Sequence, residues 1–212
     1  TPRTFLVLAT GLLAAAGARA QPLPGGSLDP TLIPKYVAPL VVPPAMPRST
    51  SDASVDYQIA VRQFQQQVLP PGFPPTTVWS YGSVDRPGTA AAGGSFNYPA
   101  FTIEAAAGAP VKVKWINDLK DPRTGRFLPH LLPVDQTLHW ANPPQRCIDG
   151  GTRTDCRGLP GTYTGPVPFV THVHGAHVEA VSDGYPEAWY LPSARDLPRG
   201  FASPGRHFGQ TP

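Results

Sequence analysis

Three of the six histidines in this sequence, His172, His174 and His177, fall within one short stretch, THVHGAHV, directly after the apolar run 167–170. On a strand, residues i and i+2 project from the same face, so His172 and His174 would present two imidazoles side by side. Neutral imidazole ligates copper, zinc, iron or nickel, using one ring nitrogen for the metal and the other for an orienting hydrogen bond. Gly175 follows at once and lets the backbone turn away, leaving the rings at a strand end. The spacing alone decides little. A bare His-X-His pair on a strand is more often two ordinary surface or core histidines than a metal site, and a stable site usually takes three or four ligands. Zinc would ask for Cys or carboxylate partners at recognisable spacing, and none is evident here.

Cys147 and Cys156, the only cysteines, share one polar loop, CIDGGTRTDC. In an exported protein such a pair is expected to close a disulfide, worth about 2–3 kcal/mol for so small a loop. A metal role is disfavoured, because the CxxC spacing is absent and the loop holds no histidine.

The elements that must position these groups are strands. The chain has 212 residues, with 29 prolines, 21 glycines and 15% charged residues, which forbids long helices. Its 41% hydrophobic content and spaced apolar runs point to a folded, β-rich chain rather than to disorder. From Val55 onward Tyr57, Ile59 and Val61 alternate with polar residues, and the phase then slips to Phe64, Gln66 and Val68. Such a slip is what a β-bulge near Arg62 and Gln63 would produce. Further strands are expected at 76–81, 99–105, 111–117, 134–140 and 169–174, with a turn at Gly108-Ala109-Pro110 and Trp115 in the core. Several short strands separated by turn signals argue for a sandwich or barrel. Residues 21–54 are proline-rich and read as an extended arm along the surface, ahead of the domain at 55–212.

Residues 1–20 have the organisation of a secretory signal. Arg3 precedes a short apolar run, FLVLATGLLAAA, and Ala18-Arg19-Ala20 offers small residues for cleavage before Gln21. The apolar run is too short to span a bilayer of roughly 30 Å as a helix. A secreted or periplasmic location is therefore expected, with no membrane partner, and both Sec and twin-arginine export fit. The net charge of +3 comes from scattered Lys and Arg, with no basic run interleaved with aromatics, so nucleic acid is not expected as a partner.

Thr171-His172-Val173-His174-Gly175, followed by SDGYPEAW at 182–189, resembles the multicopper oxidases, and among them the bacterial laccase, spore-coat oxidase and bilirubin oxidase group. FTIE (101–104), VKVKWIN (111–117) and LLPVDQTLH (131–139) resemble the same group's first-domain strands and the segment leading into its motif. The resemblance implies a cupredoxin-like (plastocyanin-like) Greek-key β-barrel of antiparallel strands, incomplete here at its C-terminal end. It implies that His172 binds a type 2 copper, that His174 binds one of a type 3 pair, and that Asp183 lies on the proton path beside the trinuclear cluster. A titratable carboxylate suits that place, because reducing oxygen to water consumes protons; the blander alternative for Asp183 is a turn residue before Gly184. His177 is off the family's ligand positions and reads as a loop residue. His130 and His139 are expected in loops near the cluster, and Glu187 and Trp189 as residues that hold the SDGYPEAW loop.

A complete enzyme of that family needs four such histidine motifs and a type 1 copper site, whereas this sequence holds one His-X-His and no type 1 ligand set. The chain is therefore expected to be the N-terminal part of a longer oxidase that takes electrons from phenol-like donors and reduces O2, and to be inactive alone. Two other classes stay open: a small secreted copper-binding or electron-transfer cupredoxin, and a non-catalytic structural protein of the same fold.

Overall fold

The computed structural model describes residues 26–133, 166–186, 188–191, 197, 203–205 and 207–208. The signal expected at 1–20, the strand expected at 134–140, His139, Cys147, Cys156 and Glu187 lie outside the described residues. Three strands organise the rest: β1 (Tyr57–Gln66), β2 (Thr76–Ser83) and β3 (Val113–Asn117). They form one sheet in the order β2-β1-β3. β2 returns antiparallel to β1 across the proline-rich connection 67–75, from Ile59↔Ser83 to Gln66↔Thr76. The long connection 84–112 then carries the chain to the other edge of β1, where β3 pairs parallel, from Tyr57↔Val113 to Val61↔Asn117. A parallel neighbour requires such a crossover, since a tight turn can only reverse direction.

The fold is all-β, as the alternation suggested, and is consistent with the cupredoxin-like fold that the resemblance implied. Among the described residues the only helical pieces are 3-10 turns at Pro30–Leu32, Ala90–Ala92 and Ala180–Ser182. No described helix is long and apolar enough to cross a membrane. The described strands make an open mixed sheet, and the β1–β3 pair is parallel where antiparallel strands were expected.

β1 carries no bulge. Its register with β2 runs one-to-one through Arg62↔Ser80 and Gln63↔Trp79, where the slip in hydrophobic phase had suggested an inserted residue. The slip has another cause: the two faces of β1 are covered at different places. Tyr57 and Ile59, on one face, join Met46 and Phe101 in the main core cluster, with Tyr81 and Trp115 packed against it. Tyr81 and Trp115 meet edge-on at 5.4 Å across the same face. On the other face Phe64 meets the Phe96 ring edge-on at 6.2 Å, and the Arg62 guanidinium lies 4.5 Å from the centre of that ring. Gln66 on this face donates to the Tyr98 carbonyl and accepts from the Tyr98 N–H. Each half of the strand thus follows its own cover.

Residues 99–105 do not form the expected strand. Phe101 does turn into the core, but the backbone makes one bridge only, Ala45↔Thr102, to the N-terminal arm. The Met46 N–H donates to the Thr102 carbonyl and the Thr102 N–H to the Pro44 carbonyl. Pro44 has no N–H to offer, so the ladder cannot continue toward residue 100. The contact of residues 26–54 with the core centres on Met46, which is 4% exposed. Further upstream Leu32, Tyr36, Leu40 and Val42 remain exposed.

Carboxylate hydrogen bonds secure the turns around the sheet. Asp85 accepts from the Thr50 N–H at 3.3 Å. Its carboxyl is held below its ordinary value, first by the Ser51 hydroxyl; burial opposes this, and hydrogen bonds from the Thr50 and Ser51 N–H groups add to the lowering. Asp52 and Asp121 are lowered in the same way, by hydrogen bonds from Ser54 and from the Arg123 N–H respectively. A carboxyl lowered in the folded state stabilises fully above its unfolded value, and that contribution fades as pH falls through the folded one. The melting temperature is therefore expected to drop as the pH is taken from about 5 to about 3, across the carboxylate range. Asp85→Asn should make that drop smaller, measured by thermal unfolding; an identical drop would show that Asp85 contributes nothing.

Candidate metal centre

Residues 166–174 reach the site as extended chain rather than as the expected strand, with one antiparallel bridge, Phe169↔Tyr190. The ladder does not extend toward the turn, where the Ala188 N–H, two residues from the bridge, donates to the Tyr185 carbonyl instead. Side chains supply the anchoring instead. Asn117, the last residue of β3, donates its Nδ2 hydrogen to the Val167 carbonyl at 2.8 Å. Trp189 and Leu191 are buried and pack with Val170 and Leu197, which gives the segment a small apolar floor of its own. The Tyr190 ring sits edge-on to Phe169 and stacks on Phe208 at 5.0 Å. Burial raises the Tyr190 phenol above its usual range, and a hydrogen bond from Thr171 partly offsets this.

On this platform the rings of His172 and His174 lie side by side, with centroids 5.9 Å apart and planes tilted by 43°. Both residues are exposed. Nδ1 of His172 lies 3.1 Å from the Val170 carbonyl oxygen. A carbonyl can only accept, so the contact places the proton on Nδ1 and leaves the Nε2 lone pair of the neutral ring for a ligand. The chain then turns: Gly175 has φ 79°, and the Ala176 N–H donates to the Val173 carbonyl.

The SDGYPEAW segment folds back over this pair. Asp183 is exposed and closes the 3-10 turn Ala180–Ser182, its N–H donating to the Ala180 carbonyl. Gly184 follows with φ 76°, and a Cβ built there would stand 2.5 Å from Cε1, 2.7 Å from Nε2 and 2.8 Å from Nδ1 of His172. Three such similar distances place that point over the ring face. Trp189 is buried in the floor, as expected of a residue that holds this loop, and its indole N–H has no hydrogen-bond partner among the described residues. Residues 203–205 bind the same loop from the other side. The Leu191 N–H donates to the Ser203 carbonyl and the Gly205 N–H to the Trp189 carbonyl, both at 2.7 Å.

The structure brings together His172, His174 and the loop that contains Asp183. His177 is exposed beyond the turn, and His130 is half-buried in the segment after β3. Sequence reasoning missed two residues. Gly184 carried no signal beyond being a glycine in SDGYP, and His207 lies in a polar tail without strand pattern, yet its ring packs edge-on against Tyr185 at 4.8 Å. Chemically, the site offers two adjacent imidazoles. No group of three or more His, Cys, Asp or Glu side chains converges among the described residues, so the pair by itself falls short of the three or four ligands a stable metal site takes.

No family model matches the chain, and no solved structure does. Curated relatives do. A laccase of Haloferax volcanii is 37% identical over 175 residues, covering 81% of this chain and 24% of that protein. A laccase of Bacillus stratosphericus is 33% identical over 74% of this chain and 23% of its own. The multicopper oxidase LPR2 of Arabidopsis thaliana is 31% identical over 55% of this chain and 14% of its own. The chain thus spans about a quarter of the length of the laccases it matches. By these matches it belongs to the multicopper oxidase family, of which it carries one segment.

Proposed function

We propose that this chain is the N-terminal portion of an exported laccase-type oxidase in which His172 and His174 are copper ligands. The observation that carries the reading is the pair of adjacent, exposed imidazoles, one of them oriented by a backbone carbonyl through its Nδ1. That second-nitrogen contact is how proteins aim a ligating histidine. Imidazole is also a suitable donor for copper. His172 would hold the type 2 ion and His174 one ion of the type 3 pair, with the remaining ligands supplied by the rest of a longer polypeptide. When bound, the copper cluster supplies the electron transfer that reduces O2 to water, with electrons drawn from a phenol-like donor elsewhere in that polypeptide.

The residues of this chain then have plain tasks. Val170 fixes the tautomer of His172 through its carbonyl. The Trp189–Leu191 floor keeps the segment in place from below. Asp183, exposed on the turn beside Gly184, exchanges protons with water and delivers them next to the histidines. Export fits the signal-like residues 1–20, and Cys147 with Cys156 fits a disulfide formed after export.

Intact mass and copper content of the protein purified from its natural source test the reading together. The expected result is a mass well above 22.6 kDa, several copper ions per chain and oxygen uptake with a phenolic donor. A copper-free protein at or below that mass would overturn it.

A further inference from the structure

We infer that Gly184 is a positioning residue for His172: the space left by its missing Cβ is the seat of the imidazole ring. This rests on the reading of His172 as a copper ligand. A Cβ at 184 would stand over the ring face, within 2.5–2.8 Å of Cε1, Nε2 and Nδ1. Contacts that short do not occur, so either the backbone or the ring must move. The ring is the end of a rotatable side chain, held by one hydrogen bond to the Val170 carbonyl, and the ring is what yields. The ring plane is then clamped between two fixed points, the carbonyl at its Nδ1 edge and Gly184 against its face. Neither blocks the in-plane lone pair of Nε2. The arrangement selects one orientation of the ring before any ion arrives.

Gly184 also has a positive φ of 76°, and that alone could explain a glycine here. The neighbouring loop supplies the control. Gly175, beside the same histidines, has φ 79°, and a Cβ there would meet nothing within 4 Å. Alanine at 175 therefore suffers the same backbone penalty without touching a ring. Alanine at 184 suffers both.

The test uses the full-length protein carrying H172A, G184A or G175A, with copper affinity and the electron paramagnetic resonance spectrum as readouts and circular dichroism as a check on folding. G184A is expected to weaken the copper held by His172 about tenfold or more, the range seen when an orienting partner of a ligand is lost. G175A should stay within about threefold of the parent, since it keeps that orienting contact. Equal losses in G184A and G175A would overturn the inference, because backbone conformation alone would then account for both. So would an unchanged G184A. If H172A keeps its copper, the ligand assignment itself has failed, a different outcome from an unchanged G184A beside an impaired H172A. Should G184A not accumulate as folded protein, the unsubstituted, copper-depleted chain answers the question with selectively labelled glycine and histidine. A nuclear Overhauser contact between the Gly184 Hα and the His172 Hε1 is expected, and its absence would overturn the inference.

Discussion

His172→Ala in the full-length protein is expected to abolish oxygen uptake and to lower copper affinity at its site by more than about 100-fold, beyond the range for losing an outer partner of a ligand. The ring's visible role in the fold is small. His172 is exposed, makes one hydrogen bond to the Val170 carbonyl and rests on Gly184. The floor beneath it consists of Trp189, Leu191, Val170 and Leu197, none of which needs the imidazole to stay buried. Stability should therefore change by no more than about 1 kcal/mol, the size of one net hydrogen bond. His174→Ala should behave alike, since its ring is exposed beside the first. Metal analysis and an oxygen electrode decide the matter, with thermal unfolding as the control. Full turnover in either variant would remove that histidine from the site.

Phe96→Ala should cause the largest loss of stability in the sheet, about 3–5 kcal/mol, as expected for a truncated buried aromatic residue. For a chain of this size that corresponds to a fall in melting temperature of roughly 6–20 °C. Phe96 is 2% exposed and covers the face of β1 opposite the main core cluster. Its ring touches Phe64 edge-on, carries the Arg62 guanidinium and rests over Gly82, which pairs with Ala60 in the sheet. The two small residues create the hollow that receives the ring. A Cβ at 82 would stand 2.5 Å from the ring and 2.9 Å from the Phe96 Cα, so backbone as well as side chain would have to retreat. The loop that presents Phe96 has little room to do so. Gly94 abuts the Gly88 carbonyl, and the buried Ser95 hydroxyl accepts from the Ser83 N–H and donates to the Arg86 carbonyl, both at 2.8 Å. Chemical denaturation of the Phe96 variant checks the size of the effect. A loss under about 1 kcal/mol would mean that the hollow closes without cost, against what packed cores ordinarily show.

Strand positions were legible in the residues because alternation is a local property. Ile59, Phe101 and Trp115 announce inward faces whatever lies opposite them, and β1, β2 and β3 fall where the pattern puts them. The supposed bulge shows the limit. A change of hydrophobic phase along β1 looks the same whether a residue is inserted or the covering segment changes sides. Only the placement of Met46 and Phe101 on one face and Phe96 on the other separates the two explanations. The strands expected at 99–105 and 169–174 failed for a related reason. Their own residues suit a sheet, but a ladder needs free donors on the facing segment: Pro44 has no N–H to give, and the Ala188 N–H is taken by the Tyr185 carbonyl.

The same division holds at the histidines. Two imidazoles at i and i+2 on extended chain must share a face, so the pair His172 and His174, and imidazole as the chemistry on offer, followed from spacing alone. What aims the ring did not. Val170 lies two residues away, but its carbonyl becomes a partner only in this backbone conformation. Gly184 comes near only because the SDGYPEAW loop returns across the strand end, held by buried Trp189 and by residues 203–205. Contacts between segments distant in sequence depend on how the whole chain packs, and no local pattern encodes them. The sequence by itself determined which groups this protein offers and where alternation could make strands; the tertiary structure decided which of those segments pair, which backbone each meets and which way the first imidazole points.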